Sequence, residues 1–218
     1  MRNKKRAVLF DLDGTLADTA PDLALSLNRV LKEESRPEMS FDSIRPVVSH
    51  GGMALIKLGF KIPAEHPEFE RLRQRLLTIY RDNICNKTTL FPGMDELLEA
   101  LEKQHILWGV VTNKPAWLTT PLMEQLQLEQ RAGSIVSGDT LKERKPHPAP
   151  LFHACQEMQV NSTECIYIGD AARDIEAGQR AGMKTVAALY GYIEEDDPPQ
   201  QWNADIMITH PLEVLDHL

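Results

Sequence analysis

With 218 residues, 42% of them hydrophobic, the chain is long enough for one substantial core and a small accessory unit. Its net charge of -8 argues against nucleic acid and acidic membrane surfaces as partners, so an anionic ligand must be met by a local cluster of cations. No apolar run approaches the ~20 residues of a membrane span. Cys85, Cys155 and Cys165 lie far apart in sequence without CxxC spacing, so neither a disulfide scaffold nor a zinc site is expected, and the expected compartment is the cytoplasm.

The basic start, Arg2 to Arg6, is followed by only four apolar residues before Asp11, too few for the apolar region of a signal peptide. Those residues, Ala7-Val8-Leu9-Phe10, read as a buried parallel strand that breaks into Asp11-Leu12-Asp13-Gly14-Thr15-Leu16. In open α/β sheets, ligands bind just past the carboxyl ends of strands. Side chains at i and i+2 of an extended segment share a face, so Asp11 and Asp13 can point into one crevice. Burying two acids together is costly unless a cation or a chemical task holds them there. One ionised and one protonated carboxylate would suit a nucleophile beside a general acid. The alternative is a strand ending in an Asx turn at Asp13-Gly14, with both acids in water.

Thr19 or Asp18 can cap a helix starting near Pro21. From Asp22 to about Leu90 the pattern is helical with no strand candidate. Phe69, Leu72, Leu76, Leu77 and Tyr80 recur at the spacing of one apolar helix face. The segment reads as a helical insertion, entered near Thr19 and left near Phe91-Pro92-Gly93. Beyond it, helices are predicted at Met94–Glu102, Pro115–Gln127, His147–Met158 and Asp174–Ala181. They alternate with strands at Leu107–Thr112, Ser134–Ser137, Cys165–Ile168, Thr185–Ala188 and Asp205–Ile208. Such alternation implies α/β architecture: a doubly wound parallel sheet with helices on both faces.

Three further strand ends carry polar residues. Thr112-Asn113-Lys114 could hold phosphate oxygens through the Thr hydroxyl and backbone N–H groups, or could simply start a helix before Pro115. Lys145, fixed in the X-Pro turn Lys145-Pro146-His147-Pro148, could neutralise a nucleophilic carboxylate and a transferring phosphoryl group, or could be a solvated lysine. His147 reads as a helix-start residue. In Gly169-Asp170-Ala171-Ala172-Arg173-Asp174, both Asp170 and Asp174 can face the acids of the first strand. Mg²⁺ favours a few carboxylates plus water and substrate oxygens, which Asp11, Asp170 and a backbone carbonyl near Asp13 would supply. Asp174 could equally be a helix N-terminal charge.

In this order and spacing, Asp11/Asp13/Thr15, Thr112/Asn113, Lys145 and Asp170/Asp174 resemble the four motifs of the haloacid dehalogenase superfamily. The insertion resembles that family's type-1 helical cap. The resemblance implies a Rossmann-like core from residues 1–18 and 91–218, with a cap at 19–90. About thirty residues between Lys114 and Lys145 leave no room for a second cap. It further implies that Asp11 attacks the phosphorus of a phosphomonoester, and that Asp13 protonates the leaving alcohol and then activates water. Thr112, Asn113 and Lys145 would hold the phosphoryl group. Asp11, Asp13 and Asp170 would hold Mg²⁺, and Asp174 would support the metal shell or orient Lys145. An acid often follows the first Asp of the fourth motif; here that position is Ala171. The acid at Asp13 argues against a carbon–halogen substrate, which has no alcohol to protonate.

Within the superfamily, Trp108-Gly109-Val110-Val111-Thr112-Asn113-Lys114-Pro115 and Gly169–Ile175 look most like phosphoglycolate phosphatases and N-acetylmuramic acid 6-phosphate phosphatases. Tyr190-Gly191-Tyr192-Ile193 and Trp202-Asn203-Ala204-Asp205 lean towards the sugar-phosphate branch. The expected partner is thus a small phosphorylated metabolite. In such proteins the cap chooses the substrate, and Ser49-His50-Gly51-Gly52 is the candidate cap loop. Gly51 would permit close backbone approach, His50 would meet an anionic or hydroxyl group, and Arg45 would pair with a substrate carboxylate. The same loop could be a plain helix-breaking turn. A phosphomutase would share all four motifs. A non-catalytic, phosphorylation-dependent binding protein would have no need of Asp13 and Lys145.

Overall fold

The computed structural model describes residues 6–218; the basic start up to Lys5 lies outside the described residues. The chain opens with β1 (Ala7–Phe10), every residue buried, and turns into the two-residue β2 (Ala17–Asp18). Four helices follow: α1 (Ala20–Glu33), α2 (Phe41–Ile44), α3 (Gly51–Phe60) and α4 (Phe69–Asp82). β3 (Thr89–Leu90) then returns antiparallel to β2. After it come α5 (Met94–Lys103), β4 (Leu107–Val111), α6 (Ala116–Gln125), β5 (Ile135–Val136) and α7 (Ala149–Met158). β6 (Cys165–Gly169), α8 (Ala172–Arg180), β7 (Lys184–Ala188) and β8 (Ile206–Ile208) complete the series.

Six strands form one parallel sheet in the order β5-β4-β1-β6-β7-β8. The doubly wound sheet expected from the alternation is therefore present. Strand order runs outward in both directions from β1, so the crevice at the carboxyl ends of β4, β1 and β6 is the topological switch point.

The insertion packs by the face its spacing foretold. Phe69, Leu72, Leu76, Leu77 and Tyr80 of α4 are all buried, in one apolar cluster with Leu23, Leu27 and Leu31 of α1. Burial of each large side chain contributes roughly 1.5–3 kcal/mol.

The β2–β3 ribbon was not legible, because two residues per strand carry no periodicity. A buried acid ties its flank together. Asp22, in the first turn of α1, accepts hydrogen bonds from Lys87 N, Thr88 N and Thr88 Oγ1 at 2.8–3.1 Å. Neither Thr19 nor Asp18 caps α1 with its side chain. Ala20 N donates instead to the hydroxyl of Tyr192 (2.9 Å), which itself donates to Asp18 Oδ1 (2.8 Å).

The thiols of Cys155 and Cys165, far apart in sequence, lie 3.8 Å apart in the core as free cysteines. No described helix is long and apolar enough to cross a membrane.

Candidate active site

Each inner strand delivers one polar group to the switch-point crevice. Asp11 directly follows β1, Thr112 follows β4 and Asp170 follows β6, while Lys145 enters on the loop after β5. Gly14, with φ of +85°, turns the chain under Asp170. A Cβ there would collide with the Asp170 carboxylate, and the left-handed backbone independently favours glycine.

Lys145, only 4% exposed, is the hub. Its ammonium lies 2.8 Å from Asp11 Oδ1, Asp174 Oδ1, the Val111 carbonyl and the Tyr167 hydroxyl. Asp11 Oδ1 also accepts from Leu12 N (2.7 Å), whereas its Oδ2 takes no hydrogen bond from a described residue. Asp174 Oδ2 accepts from Ala171 N (3.2 Å), so this one acid both caps α8 and holds Lys145. The two readings its position allowed are combined in one side chain.

Asp170 accepts from Thr15 Oγ1 (3.3 Å), Tyr192 N (2.9 Å) and Ser49 Oγ (3.0 Å). Burial and the charges of Asp11 and Asp174 push its carboxyl up to about 7. Burial likewise raises Asp11, against the pull of Lys145. Asp13 stands apart from these acids. Its Oδ1 accepts from Thr19 Oγ1 (2.6 Å) and pairs with Lys114 (2.8 Å), whose ammonium lies over the Tyr80 ring, 4.5 Å from its centroid.

The insertion reaches into this crevice. Val48 to Met53 line a cavity of about 390 Å³ together with Asp11, Asp13, Thr112, Lys114 and Arg173. Besides its bond to Asp170, Ser49 accepts from Arg173 Nη2 through its carbonyl (2.9 Å). Gly51 lies on the cavity wall, with φ of +74°.

Three expected contacts are placed differently. Arg45 does not line the cavity: its guanidinium donates to the carbonyls of Tyr190 (3.1 Å) and Gly191 (3.0 Å) and stacks on the Tyr192 ring. It fastens the insertion to the segment after β7. His50 is on the cavity wall, but its Nε2 meets Glu194 of this chain at 2.9 Å. Asn113 spends its side chain on the backbone of Lys145, donating to its carbonyl (3.0 Å) and accepting from its N–H (3.1 Å). Thr112 is buried in the crevice with its hydroxyl oxygen accepting from Lys114 N (3.1 Å). His147 accepts from Ala149 N (3.2 Å) at the start of α7, as a helix-start residue should.

Arg173, Tyr167 and Lys114 are the groups the sequence reading passed over. Arg173 and Lys114 stood inside strings already singled out, and their charge was the available signal. Tyr167 gave none, since an aromatic residue in a buried strand reads as core.

Oxygens of Asp11, Asp170 and Asp174 lie within 4.8 Å of one another. Three buried carboxylates face two cations, Lys145 and Arg173, so one acid lacks a counter-ion, in line with the raised carboxyl of Asp170. Hard carboxylate oxygens in this number fit Mg²⁺ or a similar divalent cation and do not suit a soft metal. The carboxylate of Asp13 is outside this group, so any part it takes in holding metal falls to its backbone carbonyl.

Fold and site together define an α/β protein whose switch-point crevice gathers three carboxylates around a buried lysine. The family model of the haloacid dehalogenase-like hydrolases matches residues 8–188, and the chain belongs to that family. The N-acetylmuramic acid 6-phosphate phosphatase of Pseudomonas putida is 43% identical over 209 residues, 96% of this chain and 94% of the relative. A phosphoglycolate phosphatase of Xanthomonas campestris is 43% identical over 206 residues, 94% of this chain and 93% of the relative. The crystal structure of a predicted phosphoglycolate phosphatase from Haemophilus somnus superposes with a TM-score of 0.87 at 29% identity, covering 100% of this chain and 99% of the other.

Proposed function

We propose that this protein is a Mg²⁺-dependent phosphomonoester hydrolase working through an aspartyl phosphate on Asp11. The enzyme is a phosphomonoesterase of the haloacid dehalogenase family, with relatives of that activity along nearly its whole length. The observation that carries the mechanism is the divided environment of Asp11. One oxygen is fixed by Lys145 and Leu12 N, and the other is uncommitted at a cavity wall.

Asp11 Oδ2 attacks phosphorus, and the bond from phosphorus to the alcohol oxygen breaks. Asp13 gives that oxygen its proton. In the second half, Asp13 takes a proton from water, water attacks phosphorus and the Asp11–phosphorus bond breaks to release phosphate. Thr19 and Lys114 hold Asp13 from one side, leaving its Oδ2 for the proton. Thr112 and Lys145 balance the charge of the phosphoryl oxygens. Asp11 and Asp170, with the Asp13 carbonyl, would hold Mg²⁺, which supplies charge neutralisation at the phosphoryl group. Asp174 orients Lys145. Residues 19–90 act as a cap over the core of residues 1–18 and 91–218, and Ser49 to Gly52 bring it to the crevice. The substrate is a small phosphorylated metabolite of the phosphoglycolate or N-acetylmuramic acid 6-phosphate type.

Phosphate release with and without Mg²⁺, from 2-phosphoglycolate and N-acetylmuramic acid 6-phosphate side by side, tests the activity. Metal-dependent release is expected. A phosphoryl group returned to an organic product, requiring a bisphosphate activator, would instead indicate a phosphomutase.

The metal can also be read without turnover. In the metal-free protein Asp170 holds its proton up to about pH 7, against an ordinary value of 3.8. Its raised carboxyl therefore lowers stability as pH rises between those values, where only the folded chain keeps the proton. Mg²⁺ has to displace that proton, so its gain in melting temperature should be small at pH 5 and large at pH 8. An equal gain at both would show that the cation binds elsewhere.

A further inference from the structure

Next to the site cavity lies a second hollow of about 520 Å³ to which nothing in the hydrolytic chemistry assigns a task. The two adjoin, with Arg73, Leu77, Asn113, Pro115 and Arg144 lining both. Its floor is the chain after β4 and after β5, and its roof is α4 of the insertion.

The floor is held in place before any ligand arrives. Gly138 N donates to the Lys114 carbonyl (2.8 Å), and Asp139 accepts from Ala116 N (2.7 Å). Asn113 binds the Lys145 backbone on the other side. Gly138 is required by this contact, since a Cβ there would run into the Asn113 carbonyl.

In a chain of net charge -8, this hollow is basic. Arg73, Lys142 and Arg144 line it against one carboxylate, Asp139. Arg73 is bound to Glu70, but the side chains of Lys142 and Arg144 meet no partner among the described residues. Trp117, 42% exposed, and Pro115 supply an apolar face beside these cations. Two cations next to an aromatic plane recognise an anion carried on a body with apolar faces, such as a sugar ring bearing a carboxylate. Arg144 lines both hollows, whereas Lys142 and Trp117 line only the second, so an anion held by this pair of cations lies beyond the phosphoryl cavity.

Resting on the phosphomonoesterase reading, we propose that this lobe is the subsite for the non-reacting part of the substrate. Lys142 and Arg144 read a carboxylate and Trp117 a sugar face, which makes the substrate a carboxylated sugar phosphate of the N-acetylmuramic acid 6-phosphate kind. Phosphoglycolate has its carboxylate only a few bonds from phosphorus and no ring, so it would leave the lobe empty.

The test is kcat/KM on three phosphomonoesters: N-acetylmuramic acid 6-phosphate, N-acetylglucosamine 6-phosphate, which has the ring without the carboxylate arm, and 2-phosphoglycolate. The enzymes are the wild type, the double variant Lys142→Gln/Arg144→Gln, and Trp117→Ala. The wild type is expected to favour the carboxylated sugar over the plain one by about tenfold or more, as a charge-assisted contact gives. The double variant should erase that ratio, chiefly through KM. Trp117→Ala should lower both sugar phosphates relative to phosphoglycolate. A wild type that favours phosphoglycolate, or that treats the two sugars alike, overturns the subsite while leaving the phosphatase standing. Equal losses on all three substrates in the double variant would do the same, by marking these residues as structural. Release from none of the three, nor from p-nitrophenyl phosphate, would overturn the hydrolase reading and the subsite with it.

Discussion

Replacing Asp11 with Asn should abolish turnover, by on the order of 10⁴-fold or more, while the protein melts at the same temperature or higher. The loss follows from chemistry: an amide oxygen is too weak a nucleophile to displace an alcohol from phosphorus. The stability follows from the surroundings. Burial and the neighbouring Asp174 raise the Asp11 carboxyl despite Lys145, so the ionised acid is held there at a cost. The isosteric amide can keep the bonds from Leu12 N and Lys145 to its oxygen without that cost. Phosphate release and a thermal melt on the same preparation check both halves. Undiminished release would remove Asp11 from the mechanism. A sharp fall in melting temperature would give it a structural role.

Lys145→Met should cost both activity and fold. The ammonium sits among four oxygens at 2.8 Å, two of them from the buried carboxylates of Asp11 and Asp174. Deleting one partner of a buried ion pair costs about 3–5 kcal/mol, because the charge left behind has neither water nor a counter-ion. For a chain of this size that is a fall of roughly 6–20 °C in melting temperature in metal-free buffer. The penalty comes from the stranded carboxylates, so adding Asp174→Asn to Lys145→Met should recover much of the stability and none of the activity. A melting temperature unmoved by Lys145→Met would contradict the hub assigned to this lysine.

The sequence carries the fold and the site wherever a signal is local. The apolar run before Asp11 and the polar breaks at Thr112 and Asp170 placed three strand ends in one crevice, and strand order then did so in space. The helix face from Phe69 to Tyr80 was equally plain. What was missed depends on contacts between distant segments. A guanidinium near a glycine-rich turn suits a carboxylate ligand, and nothing local to Arg45 points to its backbone partners. The carbonyls of Tyr190 and Gly191 that occupy it are far along the chain. Asn113 looked like part of a phosphate cradle, and only the return of the chain at Lys145 shows that it holds a backbone. Tyr167 satisfies both the periodicity of a buried strand and the hydrogen-bonding needs of Lys145, and periodicity reports only the first. The cation of Lys114, adjacent to the polar pair Thr112-Asn113, gave no sign that its partner was Asp13.

In the proposed mechanism the phosphoryl group passes through Asp11, and the most direct measurement is to catch it there. Asp13→Asn keeps the nucleophile but removes the base that activates water. Mixed rapidly with a phosphomonoester that has a good leaving group, quenched in acid and digested, this variant should release one burst of alcohol. Its phosphate should be found by mass spectrometry on the peptide containing Asp11. A variant that instead releases alcohol and free phosphate together, with Asp11 never modified, would mean that water attacks the substrate directly and that the covalent account is wrong.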